Sequence, residues 1–240
     1  MPAKSPLRFG VAYDFRNPPD SGIPTPKLYA QTLEQVGLAD RLGFDLVWLT
    51  EHHFVDDGYL PSFTAVAGAF AARTSRIRIS SDVALAPFHH PLRLAEDLCV
   101  LDNLSGGRME LGIGMGYAPH EFRAFGIPQK ERVSRTEETV QILKQALSGE
   151  PVRIQGKRFQ FDGVPLFPKP AQPGGIPLWL AAQSEAGARR AGRFGLNLLP
   201  QGNRAHTIEP WKNEIRAGGG DPDSLRVGII RSWLVTDDPE

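Results

Sequence analysis

Residues Thr50-Glu51-His52-His53-Phe54-Val55-Asp56-Asp57 place two imidazoles and three carboxylates within eight positions, directly after the apolar run Phe44 to Leu49. Three chemistries use such groups: metal ligation, proton transfer beside a bound cofactor, and simple solvation of a polar loop. A metal reading would take His52, His53, His89 and His90 with Glu51 or Asp56. Adjacent histidines on an extended segment point to opposite faces, however, so each pair offers one ligand readily and two only with strain. We therefore expect no metal site. Asp56 and Asp57 are neighbours on a loop that contains Gly58, an arrangement with little resemblance to a glycosidase pair. They are expected to form a polar rim leading into the next helix.

Further polar segments follow later apolar runs. "ALAPFHHPLRLAED" carries His89 and His90, "GIGMGYAPHEFRAFG" carries Tyr117, His120, Glu121 and Arg123, and "AAQSEAGARR" carries Ser184. The last has a physical reading of its own. Gln183, Ser184 and Glu185 open a helix straight after a buried strand, so free N–H groups and the Ser184 hydroxyl would favour an anion, although Ser184 could equally be a plain N-cap. Gly112, Gly114 and Gly116 could let a flat ring approach the backbone, or merely ease packing. No nucleophile elbow of the Gly-x-Ser-x-Gly type occurs, and Cys99 sits among Leu98, Val100 and Leu101 as a structural thiol.

The elements that position these loops follow from hydrophobic period. Strands are expected at Leu7 to Tyr13, Phe44 to Leu49, Ile77 to Ala84, Met109 to Ile113, Pro177 to Ala182, Leu196 to Leu199 and near Arg226 to Val235. Helices are expected at Lys27 to Leu42, Ser62 to Arg73, Leu92 to Leu104, Ser134 to Leu147, Ser184 to Phe194 and about Arg204 to Ala217. Strands apolar on both faces, alternating with helices, indicate a parallel sheet covered by helices. A TIM (β/α)8-type barrel is favoured over a doubly wound sheet. No Gly-x-Gly-x-x-Gly turn follows the first strand, and the polar loops follow several different strands, whose C-terminal ends would form one mouth. The rhythm breaks at about 149–176, read as a β-hairpin with turns at Gln155-Gly156 and Asp162-Gly163 plus a rim loop, within a single domain of residues 1–240. Thr236 to Glu240 looks like the start of another helix, so an eighth strand and its helix are expected to be missing; either the chain is a truncated product or the barrel is completed in another way.

Bulk properties narrow the partners. The chain has 240 residues, 41% of them hydrophobic, and its 27 Lys and Arg balance 27 Asp and Glu. It can bury a large core, and nothing in its charge would draw nucleic acid or an anionic membrane. One cysteine forms no intrachain disulfide, the start MPAKSPLRFG has no secretory core, and no apolar run approaches a membrane span, so a cytoplasmic protein is expected.

Taken together, "GFDLVWLTEHHF", "HHPLRLAEDLCVLDNLSGGRMELGIGMGYAPHEFRAFG" and "PLWLAAQSEAGARRAGRFGLNLL" resemble the bacterial-luciferase-like flavin monooxygenase family in order and spacing, from Phe9 to about Gly202. The resemblance implies a barrel, homodimeric or heterodimeric, that binds reduced FMN or a 5-deazaflavin coenzyme at its C-terminal mouth. His52 matches the family's catalytic histidine and Glu51 its neighbour, expected to orient the ring. Ser184 and Glu185, after Gln183, match the phosphate-binding turn. Ser81-Asp82 falls where a non-proline cis peptide often supports the flavin ring. Where alkanal-oxidising members carry a reactive cysteine and a phosphate-binding arginine, this chain has Gly114 and Met115, so another cation, Arg123 or Arg189, would be required. The implied activity uses reduced FMN and O₂ to oxygenate a small apolar organic substrate, with His52 moving the proton and Phe15, Phe54, Phe88 and Trp179 as candidates for a water-excluding wall. The absence of a nicotinamide-binding turn implies a separate NAD(P)H-dependent flavin reductase. Alternatives are a deazaflavin-dependent hydride transfer, a non-catalytic flavin-binding protein and a metal-dependent barrel hydrolase.

Overall fold

The computed structural model describes residues 7–202 and 204–232. The chain forms two compact units, Met1–Leu178 and Trp179–Glu240.

In the first unit, β1 (Gly10–Tyr13), β2 (Leu46–Leu49) and β3 (Arg78–Ser81) form a parallel sheet in that order, with Val11 beside Val47 and Val47 beside Ile79. Helices α1 (Thr25–Leu42) and α2 (Phe63–Arg73) make the crossovers. The chain continues through β4 (Ala84–Leu85), α3 (Pro91–Ser105), β5 (Leu111–Gly114), the short α4 (Pro119–Ala124) and α5 (Arg132–Leu147). β4 pairs with β5 in parallel, and Ile79 bridges Met109. Helix ends follow local chemistry. Gly43 and Gly106 take the left-handed conformation after α1 and α3, at φ 89° and 67°, which costs a glycine little. Pro91 opens α3, where no N–H is needed.

Residues with no exposed surface, including Val47, Leu49, Phe70, Ile79, Leu98 and Leu111, form the core. Two buried polar groups at its edge are extensively paired. Asp40 accepts from the backbone N–H groups of Ser75, Arg76 and Ile77, tying the end of α1 to the turn before β3. The Arg108 guanidinium donates to the carbonyls of Ser105, Ile77, Ala71 and Thr74 and to the Thr74 hydroxyl.

The expected hairpin is present as β6 (Val152–Gln155) against β7 (Gln160–Val164), antiparallel. The second expected turn, at Asp162-Gly163, is instead part of β7. The register shifts between Val152 and Arg153, and Gly163 absorbs the irregularity at φ 77°, as a bulge glycine does. Glu138 on α5 fixes the connection by accepting from the N–H groups of Arg158 and Phe159 at 2.8 and 2.9 Å.

The second unit has β8 (Leu178–Ala182) parallel to β9 (Asn197–Pro200), joined by α6 (Glu185–Arg193) and followed by α7 (Ile208–Ala217). Gly192 lets α7 approach α6, since a Cβ there would lie 2.6 Å from the Trp211 carbonyl oxygen, and the Trp211 indole donates to Leu196 O at 2.8 Å. Of the strand expected near Arg226, the described residues show a parallel bridge between Leu198 and Val227. Residues 233–235 and the expected helix start at 236–240 lie outside the described residues. Among the described residues no helix is long and apolar enough to cross a membrane.

Candidate active site

The segment after β2 leaves the sheet in extended form, held where the His52 N–H donates to Leu60 O at 3.0 Å. Extended backbone alternates its side chains, so Glu51 and His53 share one side and His52 takes the other. That parity decides which groups meet.

On the His52 side, Nδ1 lies 2.9 Å from Oε1 of Glu121, a side chain on α4 with no exposed surface. The same oxygen accepts from the His53 backbone N–H at 2.8 Å. Tyr59 and Tyr117 meet the His52 ring edge-on, with centroids at 4.7 and 5.3 Å. Glu121 Oε2 is buried with no hydrogen-bond partner among the described residues.

On the other side, Glu51 Oε1 meets Nε2 of both His53 and His89, at 2.9 and 2.8 Å, while Oε2 accepts from the Leu85 N–H at 2.9 Å. Burial by itself would raise the Glu51 carboxyl, but hydrogen bonds from His53 and His89, the His89 charge and the Leu85 N–H outweigh it and hold the group down to about 2. For His89, burial acts to lower the pKa, and the bond to Glu51 with its charge outweighs that and raises it. An ionised carboxylate only accepts, so both imidazoles present Nε2–H to it. The expectation that Glu51 orients the His52 ring is thus corrected. Glu51 braces His53, β4 and the loop before α3, and Glu121 holds His52.

The other expected residues fall in distinct places. Ser81 is buried and its hydroxyl donates to Gly112 O at 2.7 Å. The non-proline cis peptide is at Asp82–Val83, one bond later than Ser81-Asp82. Gly114 ends β5 against it, where a Cβ would come within 2.2 Å of Val83 Cγ2, so the glycine serves close packing of these strand ends. Met115 follows half-buried. Asp57, expected on a solvated rim, is buried and paired with Arg16. Asp56 is exposed, as a rim residue would be. His120 Nε2 lies 3.1 Å from His53 O, and His90 is exposed ahead of α3. Of the aromatic candidates, Phe15 and Trp179 are buried, Phe88 is half-buried and stacked on Phe125, and Phe54 is 64% exposed. Among the described residues no group of three or more His, Cys, Asp or Glu is placed to hold a metal ion. Cys99 is buried within α3, and that burial first, with Asp102 adding to it, pushes its thiol up to about 11.

In the second unit, Ser184 is the N-cap of α6, its Oγ accepting from Gly187 N at 3.3 Å. Gln183, Ser184 and Glu185 are all exposed. Arg189, a candidate phosphate cation, pairs with Glu185 and Glu214 at 3.8 and 3.3 Å.

The family model for luciferase-like monooxygenases matches residues 7–240. The chain belongs to that family. It is 38% identical over 198 residues to an uncharacterized protein of Sinorhizobium fredii, covering 82% of this chain and 56% of that one. It is 34% identical over 165 residues to the 4-hydroxyprotoasukamycin monooxygenase of Streptomyces nodosus subsp. asukaensis, covering 68% and 44%. It therefore spans about half the length of these relatives. Among solved structures, monooxygenase RslO1 from Streptomyces bottropensis superposes with a TM-score of 0.85 at 30% identity, over 93% of this chain and 70% of that one. The oxygenating constituent of 3,6-diketocamphane monooxygenase from Pseudomonas putida, solved with FMN, gives 0.78 at 22%, over 92% and 66%. The coenzyme F420-dependent tetrahydromethanopterin reductase from Methanopyrus kandleri gives 0.76 at 21%, over 94% and 65%. These likenesses establish the expected fold class, the TIM (β/α)8-type barrel of the family.

Glu121 is the residue that sequence reasoning passed over. It was visible only as one polar side chain among Tyr117, His120 and Arg123, and its distinguishing mark is that it directly precedes the buried Phe122 on a one-and-a-half-turn helix.

Proposed function

We propose that this chain is the oxygenase of a two-component flavin monooxygenase, using reduced FMN supplied by a separate NAD(P)H-dependent reductase to oxygenate a small apolar organic substrate with O₂. The observation that carries the reading is His52. Its Nδ1 is anchored on a buried carboxylate, its Nε2 has no partner among the described residues, and two tyrosine rings flank it. Such an imidazole is built to exchange a proton at one defined atom in a partly dry setting. The unpaired, fully buried Glu121 Oε2 beside it fits a site completed by a polar bound molecule. Bound reduced flavin would supply the electrons that activate O₂.

Around it, the residues present bind, orient and exclude water. The packed end of β5 at Gly114 and Met115, with Ser81 and Asp82 at the end of β3, is our candidate for the backbone against which a flat ring rests. Ser184 and Glu185, with Gln183, are our candidates for the phosphate, on the second unit's own geometry: an exposed helix N-terminus whose free N–H groups favour an anion. Half-buried Tyr59 packs edge-on against the His52 ring and shields that side from bulk water. We further propose that the protein acts as a dimer; Leu38, Leu42, Val100 and Leu104 leave apolar surface exposed on α1 and α3.

A second reading, hydride transfer with a deazaflavin, is supported by the fit to an F420-dependent reductase, at a TM-score of 0.76 close to the 0.78 of the FMN-bound oxygenase. Anaerobic titration with reduced FMN and with reduced deazaflavin separates the two, and formation of oxygenated product from reduced FMN and O₂, which free reduced FMN does not give, separates an oxygenase from a flavin carrier. His52→Ala should bind flavin within a few-fold of wild type while product formation falls about 10²-fold or more. Unchanged turnover in that variant would remove His52 from the reaction.

A further inference from the structure

We propose that Glu121 is the positioning residue for His52, keeping the ring proton on Nδ1 so that Nε2 is the atom that takes up and releases a proton. The carboxylate offers one oxygen to two groups. Oε1 receives the His53 backbone N–H at 2.8 Å, a donor that has no alternative role, so Oε1 is an acceptor. Glu121 as a carboxylate only accepts, so the His52 Nδ1 that meets the same oxygen at 2.9 Å is the second donor. In the neutral ring Nε2 then carries no hydrogen and is the basic nitrogen, since the bond made by one imidazole nitrogen decides the state of the other. When Nε2 gains a proton the ring becomes positive, and a fully buried carboxylate 2.9 Å away offsets that charge.

His53 and His89 present the opposite arrangement. Both turn Nε2 to the Glu51 carboxylate, so neither offers a basic Nε2. The chain thus uses one carboxylate to expose Nε2 of His52 and another to occupy Nε2 of its neighbour. His53 links the two by its main chain and its ring, so α4, the segment after β2 and the segment after β4 hold the His52 ring as one assembly.

The effect on rate rests on the flavin oxygenase reading, but the ring state does not, and the test separates them. Protein labelled with ¹⁵N at histidine, free of cofactor, gives the His52 tautomer, its signal assigned by its loss in His52→Gln. Wild type and Glu121→Gln, which keeps an acceptor at Oε1, should both show the proton on Nδ1. Glu121→Leu should release it to Nε2. In turnover with reduced FMN, Glu121→Gln should lose about 10²-fold in kcat with flavin affinity within a few-fold, and Glu121→Asp should recover part of the loss. A wild-type signal from the Nε2–H tautomer overturns the proposal even if the leucine variant does not fold, and so does full activity in Glu121→Gln. If the tautomers are as stated but neither wild type nor any variant forms oxygenated product from reduced FMN and O₂, the oxygenase reading fails and the pairing stands.

Discussion

Replacing Glu51 by glutamine tests the claim that this carboxylate is a structural brace. Gln has one oxygen where Glu51 uses two, so an amide N–H would face the Leu85 N–H or an imidazole Nε2–H. Moving a carboxyl from 4.5 down to about 2 corresponds, at about 1.4 kcal/mol per pH unit, to about 3 kcal/mol of folding stability. The raised pKa of His89 reports the same interaction from its other end and is not added. Three kcal/mol is also the lower edge of the cost of breaking a buried ion pair, about 3–5 kcal/mol. For a chain of this size Tm should fall by about 6–12 °C. The pH dependence has a definite sign. Glu51 is depressed, so its contribution is present above 4.5 and lost as pH falls towards about 2. His89 is raised, so its contribution is full below 6.5 and lost as pH rises through its folded value. The gap between wild type and Glu51→Gln should therefore be widest between pH 4.5 and 6.5 and narrow on the alkaline side. Thermal unfolding followed by circular dichroism across pH 4 to 9 measures it. A Tm loss below about 2 °C at pH 6, or a gap that widens with alkali, would refute the brace.

Three other substitutions probe separate parts of the molecule. Gly114→Ala sets a methyl 2.2 Å from the stiff Val83 side chain and should cost about 1–3 kcal/mol in urea unfolding, relieved by Val83→Ala in the double variant. Arg108→Met leaves four carbonyls and the Thr74 hydroxyl without their donor and should lose about 3 kcal/mol or more, seen as a lower urea midpoint. Ser184→Ala removes the α6 N-cap bond, costing about 1 kcal/mol, and should weaken reduced FMN binding by more than it weakens binding of riboflavin, which lacks the phosphate.

Hydrophobic period by itself determined the β/α alternation. The expected helices at 27–42, 62–73 and 134–147 correspond to α1, α2 and α5 within two residues at each end. Burial on one helix face, or on both strand faces, is written locally in the order of residues. The ends of α1 and α3 are equally local, at Gly43, Pro91 and Gly106, since a left-handed cap or a missing N–H is a property of one residue. The short α4 was missed because six residues carry too little period to register. The Asp162-Gly163 bulge was taken for a turn because the left-handed glycine is common to both.

His52 and Glu51 were legible as a polar strand end, but not which carboxylate served which ring. Sequence adjacency suggested that Glu51 orients His52. Strand alternation puts them on opposite sides, and the partner of His52 comes from a helix 69 positions away. The same holds for Glu51 and His89, 38 residues apart, and for Gly114 against Val83. Residue type and period depend on the local chain, so the sequence alone determined the elements and the stock of chemical groups. Pairing between groups depends on how separate elements pack, and only the tertiary structure decided that His52 is held by Glu121 while Glu51 holds His53 and His89.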